Sequence, residues 1–211
     1  MKISDIKPQQ KNKNRVSVYL DGKYGFSLDY DTLNRAGLHI GDTVSDELRE
    51  HLLHTDEGAR ARDYAYMLLS YRSRTEYEIF TRLLERGFSK ESVRQVLHSL
   101  KHSGLVDDRS FAEEWVEDMF SRRPMGRLRA EHELMKRRIR EDIIHEVCEK
   151  AYKQDTEERL ARTAAEKKLN ALGVYAEEEV RKKISSFLQR RGFDFGVIHN
   201  LMGELFGDDI G

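Results

Sequence analysis

Few side chains in this sequence could act as nucleophiles or metal ligands. Cys148 is its single cysteine, and His145 precedes it by three residues, which would place both on one face of a helix. A thiolate and an imidazole at this spacing can bind zinc, but two ligands fall short of the four that a structural zinc site uses. Because Ile144 and Val147 lie on the same apolar face, we interpret Cys148 as a buried core residue.

Other groupings that could bind a metal ion have simpler explanations. Two histidine pairs have helical or near-helical spacing: His98 with His102, and His51 with His54. We expect all four histidines on the surface. The adjacent carboxylates of Asp107 and Asp108 precede a predicted helix, where they would cap its first amides and oppose its dipole. There is no glycine-rich phosphate loop, H-E-x-x-H or G-x-S-x-G motif. We therefore predict that the protein is not an enzyme and needs no metal or cofactor.

Composition and charge exclude several classes of protein. The chain has 211 residues and 36% of them are charged, against about 25% for an ordinary globular protein. The formal net charge is -1, which excludes a globally basic nucleic-acid binder but not a locally basic one. No segment approaches the roughly 18 consecutive apolar residues of a membrane span, and the N-terminus lacks an apolar signal core. We therefore expect a soluble, cytoplasmic protein that does not bind membranes.

The N-terminal region contains the clearest β signal. Apolar and polar residues alternate on both sides of the turn-forming pair Asp21-Gly22, which predicts a β-hairpin over residues 15–28. A short helix over 31–36 and a longer helix from Ser45 should follow. Gly58 interrupts the helical pattern, so we place the boundary of a small α+β module at residues 1–58.

From Ala59 onwards, apolar residues recur at the spacing of amphipathic helices and predict nine helices. The segments 83–88, 134–139 and 188–193 resemble one another and begin 51 and 54 residues apart, about the length of three helices. We predict a mainly α, elongated, solenoid-like protein with three-helix repeats at 59–106, 107–154 and 155–211. Two pairs fit the capping box that begins a helix: Thr75 with Glu78, and Ser110 with Glu113.

Four short motifs, in order along the chain, resemble those of the RecX family of recombinase regulators. They are the runs at 68–76, 84–88, 104–112 and 126–134, and the resemblance covers about 60–152 well and the third repeat loosely. The residues that carry it are Arg72, Arg74, Glu76, Gly87, Asp107, Asp108, Phe111, Gly126, Glu133 and Leu134. The sequence departs from the family at Tyr77, where leucine is usual, and at Arg138, where glycine is expected.

The resemblance implies an all-helical protein of three-helix repeats that binds RecA-type recombinase filaments on single-stranded DNA. It further implies that the protein mostly inhibits filament growth, ATP hydrolysis and strand exchange in DNA repair, recombination and the SOS response, without catalysing a reaction. Weak, non-specific DNA binding would accompany this role. The alternative is a helix-turn-helix protein that reads duplex sequence in the major groove. A generic helical scaffold for another protein partner is a third hypothesis.

Charge is distributed unevenly along the chain. Residues 107–118 contain six acidic residues and one arginine, whereas residues 120–140 contain eight basic residues and two glutamates. A second basic group lies in the third repeat. The candidate contacts to DNA or the recombinase are Arg122, Arg123, Arg127, Arg129, Lys136, Arg137, Arg138, Arg140, Arg181, Lys182, Lys183, Arg190 and Arg191. Arginine clusters suit both phosphates and acidic protein surfaces.

Each of these assignments has a structural alternative. The acidic and basic runs could neutralise one another on a solvated face. Arg72 and Arg74 could brace the acidic start of the next helix instead of contacting a partner. Trp115 and Phe111 could stack on bases, but their apolar stripe favours core packing.

Overall fold

The computed structural model describes residues 1–207 of the chain. Its N-terminal part is an antiparallel sheet of three strands in the order β1 (Ile3–Pro8), β2 (Arg15–Leu20) and β3 (Lys23–Asp29). The predicted hairpin is confirmed: Val16 pairs with Leu28 and Val18 with Phe26 across the Asp21-Gly22 turn. Strand β1 was not predicted, because an irregularity between Ile3 and Asp5 breaks the alternation that marks a strand.

The inward face of this sheet packs on two helices, α1 (Tyr30–Arg35) and α2 (Asp46–Tyr71). Its buried core comprises Ile3, Val16, Val18, Leu20, Phe26, Leu28, Leu33, Val44 and Leu52. A hairpin alone is marginally stable in water, so burial against the helices supplies what the strands lack.

Helix α2 corrects the expected break at Gly58. It runs without interruption for 26 residues, so the boundary placed at residue 58 falls inside a helix. A glycine in a helix interior costs only about 1 kcal/mol relative to alanine. Buried Leu52 and Asp56 before the glycine, and Ala61 and Ala65 after it, offset that cost.

A buried ion-pair network fastens the sheet to α2. The guanidinium of Arg15 lies 2.9 Å from the Asp29 carboxylate and 3.1 Å from the Asp56 carboxylate. The backbone N–H of Asp29 donates to the other oxygen of Asp56 at 2.5 Å. Burial, and then the charge of Asp56, raise the pKa of Asp29 above its ordinary value. The network supplies hydrogen-bond donors to both carboxylate oxygens of Asp56, whose exposed fraction is 2%.

Replacing this carboxylate should destabilise the protein strongly. Asp56→Ala leaves the charge of Arg15 with one partner fewer and the Asp29 amide without its acceptor, at a cost of about 3 kcal/mol. Urea unfolding measures the loss. Asp63→Ala, on the exposed face of the same helix, should change stability by less than about 0.5 kcal/mol. Equal effects of the two variants would contradict the role of the network.

The rest of the chain is helical. The helices are α3 (Glu76–Glu85), α4 (Lys90–His102), α5 (Asp108–Arg122), α6 (Arg127–Lys136), α7 (Glu141–Ala151), α8 (Gln154–Asn170), α9 (Glu177–Arg190) and α10 (Phe195–Phe206). With the C-terminal half of α2, they account for all nine predicted apolar stripes. The mainly α fold with an N-terminal hairpin is therefore confirmed.

The chain divides into two compact units. Unit 1 comprises Met1–Arg72 with Ile79–Leu105, and unit 2 comprises Ser73–Glu78 with the chain from Val106 onwards. In unit 2 a continuous apolar core joins α5, α6 and α7 to α8, α9 and α10. The second and third predicted repeats thus share one core. The last four residues of the third, 208–211, lie outside the described part.

The predicted start of α3 is confirmed and that of α5 is corrected. The Thr75 hydroxyl accepts from the Glu78 amide at 3.1 Å. Helix α5 begins at Asp108 with Asp107 as its N-cap, which confirms the capping expected of the aspartate pair and corrects the capping box at Ser110. The Asp108 carboxylate in turn accepts from the backbone N–H of Glu76 at 2.8 Å.

The turns after α3, α6 and α9 occupy equivalent positions in the three repeats. Gly87, Arg138 and Gly192 all have left-handed backbone conformations, with φ of 93°, 60° and 77°. A residue with a Cβ is strained there by about 1 to 2 kcal/mol. Arg138 nevertheless holds the position, and its guanidinium lies 5.9 Å from the ring centre of Tyr77, the other departure from the family pattern.

Comparing two variants isolates this backbone strain. Both Arg138→Gly and Arg138→Ala remove the guanidinium, but only glycine relieves the left-handed conformation. We expect Arg138→Gly to be more stable than Arg138→Ala by about 1 kcal/mol, the reverse of the order in a helix interior. Guanidinium chloride unfolding of both variants checks the difference, and a more stable alanine variant would contradict it.

Candidate functional site: an arginine pocket

The cysteine is part of the core, as predicted. Cys148 is fully buried in the core of unit 2, and burial, followed by the charge of Glu131, raises its pKa to about 12. The neighbouring His145 ring nitrogen Nδ1 lies 3.2 Å from the Arg127 guanidinium. Within residues 1–207, no three His, Cys, Asp or Glu side chains are grouped so that they could hold a metal ion.

The thiol should therefore be inert while the protein is folded. Because thiolate is the reactive form, we expect Cys148 to react with Ellman's reagent at pH 8 at least about a hundredfold more slowly in native protein than in denaturant. A spectrophotometric time course in buffer and in guanidinium chloride measures both rates. Comparable rates would show that the thiol is accessible in the native state.

The histidines follow the expectation with one correction. His51, His98 and His102 are exposed, but His54 is half-buried. Its Nε2 lies 3.7 Å from the Glu91 carboxylate.

A strongly basic cavity of unit 2 lies where the second and third repeats meet. We call it the arginine pocket; its volume is about 480 Å³. Its lining comprises Trp115, Met119, Arg123, Met125, Arg129, Glu133, Arg137, Phe187, Arg190 and Arg191. Five of the predicted contact residues thus come from α6, α9 and the segments that follow α5, α6 and α9. Both basic groups of the sequence contribute.

Two glycines bring the walls of the pocket together. The backbone N–H of Gly126 donates to the Arg191 carbonyl oxygen at 3.0 Å. A Cβ on Gly126 would overlap the Gly192 carbonyl, and one on Gly192 would overlap the backbone of Arg129. Only residues without side chains allow this backbone approach. The loop before α6 and the loop after α9 therefore meet directly.

Buried Glu157 of α8 supports the same junction. Its carboxylate accepts from the backbone N–H of Arg127, the first residue of α6, at 3.0 Å. Burial raises the pKa of Glu157, although the hydrogen bond from Arg127 opposes the shift. The N-terminus of α6 is thereby tied to the third repeat.

Aromatic rings hold two of the pocket arginines in place. The Arg137 guanidinium lies 4.8 Å from the ring centre of Trp115 and donates to the Glu133 carbonyl oxygen at 2.7 Å. The Arg191 guanidinium lies 5.0 Å from the ring centre of Phe187 and donates to the Pro124 carbonyl oxygen at 3.2 Å. Stacking fixes the plane of each guanidinium and the direction of its N–H groups. One Arg137 N–H group also lies 3.7 Å from the Glu133 carboxylate.

The pocket has a large excess of positive charge. Five arginines face one acidic residue, Glu133, which gives a formal charge of +4 for the lining. Burial lowers the pKa of Arg191, and the charges of Arg123 and Arg129 lower it further. Burial by itself would raise the pKa of Glu133, but the charges of Lys136, Arg129 and Arg137 lower it overall. These arginines repel one another, and a bound anion would relieve this repulsion.

Two of the pocket arginines have no partner among the described residues. Within residues 1–207, neither Arg123 nor Arg190 forms an ion pair or a side-chain hydrogen bond. By contrast, Arg129 lies 2.7 Å from the Glu133 carboxylate.

The other predicted contact residues lie outside the pocket. Arg122 pairs with Asp118 at 2.6 Å, Arg127 with Glu131 at 2.7 Å and Lys136 with Glu133 at 3.4 Å; Arg140 pairs with Asp142. The ammonium of Lys183 lies 3.9 Å from the ring centre of Tyr175. Arg181 and Lys182 line a separate cavity with exposed Phe195. These contacts favour the alternative interpretation, in which the charges of these residues are solvated or neutralised within the protein.

Arg74 and Trp115 both make contacts within unit 2. Arg74 lies 3.9 Å from the Glu78 carboxylate, which fits the bracing interpretation. Trp115 packs against the apolar core, as expected, but its ring also supports Arg137 and lines the pocket. This second role of Trp115 was not predicted, nor was the place of Phe187 in the pocket lining.

The internal repeat contained a signal for these pairs. Arg137 corresponds to Arg86 in the first repeat, and Trp115 corresponds to Tyr64, both 51 positions earlier. The Arg86 guanidinium indeed lies 5.4 Å from the ring centre of Tyr64. An arginine recurring opposite an aromatic residue at the repeat period could have identified the stacked pair.

No helix within residues 1–207 is both long enough and apolar enough to cross a membrane.

Comparison with known proteins extends the resemblance to nearly the whole chain. Models of the RecX family match its N-terminal domain at residues 1–45 and its first, second and third three-helix domains at residues 61–100, 107–147 and 155–202. Regulatory protein RecX of Bacillus licheniformis is 30% identical over 202 residues, 96% of this chain and 76% of that protein. The same-named protein of Caldanaerobacter subterraneus is 29% identical over 206 residues, 96% of this chain and 98% of that protein.

Solved structures of RecX proteins have the same fold as this chain. A crystal structure of regulatory protein RecX matches with a TM-score of 0.73 at 27% identity, covering 96% of this chain and 98% of that one. RecX from Lactobacillus salivarius shares the fold with a TM-score of 0.65 at 23% identity, covering 72% of this chain and 97% of that one. On this evidence the chain belongs to the RecX family of regulatory proteins.

Proposed function

We propose that this protein binds filaments of a RecA-type recombinase on single-stranded DNA and mostly inhibits filament growth, ATP hydrolysis and strand exchange. It acts in the cytoplasm, in DNA repair, recombination and the SOS response, and catalyses no reaction itself. The regulatory role follows the family, whose relatives carry the name regulatory protein RecX. A regulator of this kind works by binding one state of the filament more tightly than another.

The arginine pocket carries the proposal for how the filament is bound. Five guanidinium groups with one acidic neighbour form a concentrated positive site, and two of them, Arg123 and Arg190, form no ion pair or side-chain hydrogen bond within residues 1–207. A nucleoprotein filament presents DNA phosphates and acidic protein surface, and guanidinium groups bind both with paired hydrogen bonds. Two cations outside the pocket are secondary candidates: half-buried Arg181 and exposed Lys182, which pairs with Glu178 at 2.6 Å.

The domain organisation fits docking at more than one point. We propose an N-terminal α+β module and three three-helix repeats, of which the second and third form the arginine pocket together. A partner held by both repeats gains affinity without requiring a large change in either.

The experiment that tests this function is a titration of DNA-dependent ATP hydrolysis. A cognate RecA-type recombinase on single-stranded DNA should lose activity at protein concentrations well below that of the recombinase. An unchanged rate at equimolar protein, with filaments intact by light scattering, would contradict the proposal.

The same samples separate the alternative of a sequence-reading DNA-binding protein. Direct readout in the major groove produces a preference among duplex sequences. A filament regulator should bind bare DNA weakly, with strong salt dependence and little sequence preference. Selection of a consensus duplex from a random library would favour the alternative.

A further inference from the structure

The arginine pocket has the dimensions of a ligand site. Its volume of about 480 Å³ lies within the range of roughly 300 to 1,000 Å³ that small-molecule sites occupy. A single phosphate group would fill only part of this space. The pocket is also concave, whereas a patch that contacts a macromolecule by charge alone needs no cavity.

The arrangement of donors favours phosphate over carboxylate. Arg129 approaches from α6, Arg190 from α9, and Arg123, Arg137 and Arg191 from the segments that follow α5, α6 and α9. A carboxylate has two coplanar oxygens, which one or two guanidinium groups satisfy. A terminal phosphate has three acceptor oxygens in a tetrahedral arrangement and up to about two negative charges, so it can accept from several directions at once.

Neutralising the positive charge of the pocket requires more than one phosphate group. Among the described residues, the lining carries a formal +4 and Glu133 is its one acid. Two or three adjacent phosphates would neutralise this excess, whereas one would leave about half of it. Because Arg137 and Arg191 are already held by Trp115 and Phe187, little side-chain freedom is lost when they bind.

We propose that the arginine pocket binds a compact ligand with two or more adjacent phosphate groups, of the inorganic or nucleoside polyphosphate class. The regulatory consequence, which rests on the proposed function, is that such a ligand competes with the filament for the same arginines. Adjacent phosphates also occur along a nucleic-acid backbone, so the experiment must distinguish the free ligand from the polymer.

Isothermal titration calorimetry of the full chain with inorganic triphosphate tests the proposal directly. We expect one saturable site per chain in about 0.1 M salt, and binding of orthophosphate that is at least about tenfold weaker. Arg123→Ala with Arg190→Ala should weaken triphosphate binding at least about tenfold. Arg181→Ala with Lys182→Ala removes two charges from α9 outside the pocket and should change affinity by less than about twofold.

A competition arm separates the two sources of phosphate. Triphosphate should displace a fluorescein-labelled oligothymidylate from the native protein if both occupy the pocket. Oligothymidylate binding that depends on Arg123 and Arg190 but resists triphosphate would overturn the proposal and assign the pocket to the nucleic-acid backbone. Absent triphosphate binding, or binding unchanged in the pocket variant, would overturn it as well.

Thermal unfolding of each variant checks that it is folded. If the double variant is unstable, Arg190→Ala alone replaces it. The binding experiment contains no recombinase. Failure of triphosphate binding therefore leaves the ATPase titration to decide the proposed function, and failure of that titration leaves the binding result unaffected.

Discussion

Reversing two pocket charges, Arg123→Glu with Arg190→Glu, is expected to raise the protein concentration that halves recombinase ATP hydrolysis by at least about thirtyfold. A loss of about 2 kcal/mol, modest for two charge-assisted hydrogen bonds, corresponds to that factor, because 1.4 kcal/mol is tenfold. Neither side chain forms an ion pair or a side-chain hydrogen bond within residues 1–207. The substitutions should therefore remove partner contacts and leave the fold in place. The ATPase titration measures the shift.

The control reverses two charges of α9 that lie outside the pocket. Arg181→Glu with Lys182→Glu changes the net charge of the protein by the same amount but leaves the pocket intact. If long-range attraction to DNA dominated, both pairs would weaken inhibition equally, and the effect would vanish at high salt. A much larger effect of the pocket pair at about 0.15 M salt is expected, and equal effects would refute the pocket as the contact.

The second large effect concerns the contact between the repeats. Gly192→Ala is expected to destabilise the protein by about 3 kcal/mol, since its Cβ would overlap the backbone of Arg129 in addition to the left-handed strain. Gly126→Ala, whose Cβ would overlap the Gly192 carbonyl, should have a similar effect. Both variants should also inhibit recombinase poorly, because the displaced loops carry Arg123 and Arg191. Chemical unfolding and the ATPase titration provide the two readouts.

The first repeat supplies the control for this contact. Gly87 has the same left-handed backbone as Gly192, but a Cβ there would meet nothing within 4 Å. Gly87→Ala should therefore cost only the conformational strain, about 1 to 2 kcal/mol. If Gly87→Ala and Gly192→Ala were equally unstable, the close approach of the two loops would not contribute to the stability of the protein.

Much of the fold followed from local patterns. Alternation around Asp21-Gly22 predicted the hairpin, and apolar stripes at helical spacing predicted all nine helical segments from residue 59 onwards. Strand β1 was missed because its irregularity after Ile3 disrupts the period. Helix α2 passes through Gly58 because packing on both sides outweighs a local penalty of about 1 kcal/mol, which the glycine alone does not reveal.

The sequence predicted that the candidate site is rich in arginine, but not which arginines form it. The sequence identified two basic groups, yet of thirteen candidate residues five line the pocket, and several others are paired with acids on their own helices. An arginine paired at i, i+4 and an unpaired one look alike in a sequence. Which of them meet depends on the Gly126–Gly192 contact, which joins residues 66 positions apart.

The sequence by itself determined the helical repeats, the N-terminal hairpin, the buried cysteine and the family resemblance. These depend on periodicity, turn chemistry and short motifs, all of which act within a few residues of the chain. Only the tertiary structure decided that Arg123, Arg129, Arg137, Arg190 and Arg191 share a cavity and that Trp115 and Phe187 orient two of them. That outcome rests on close packing between distant segments, where a single Cβ decides whether two loops touch.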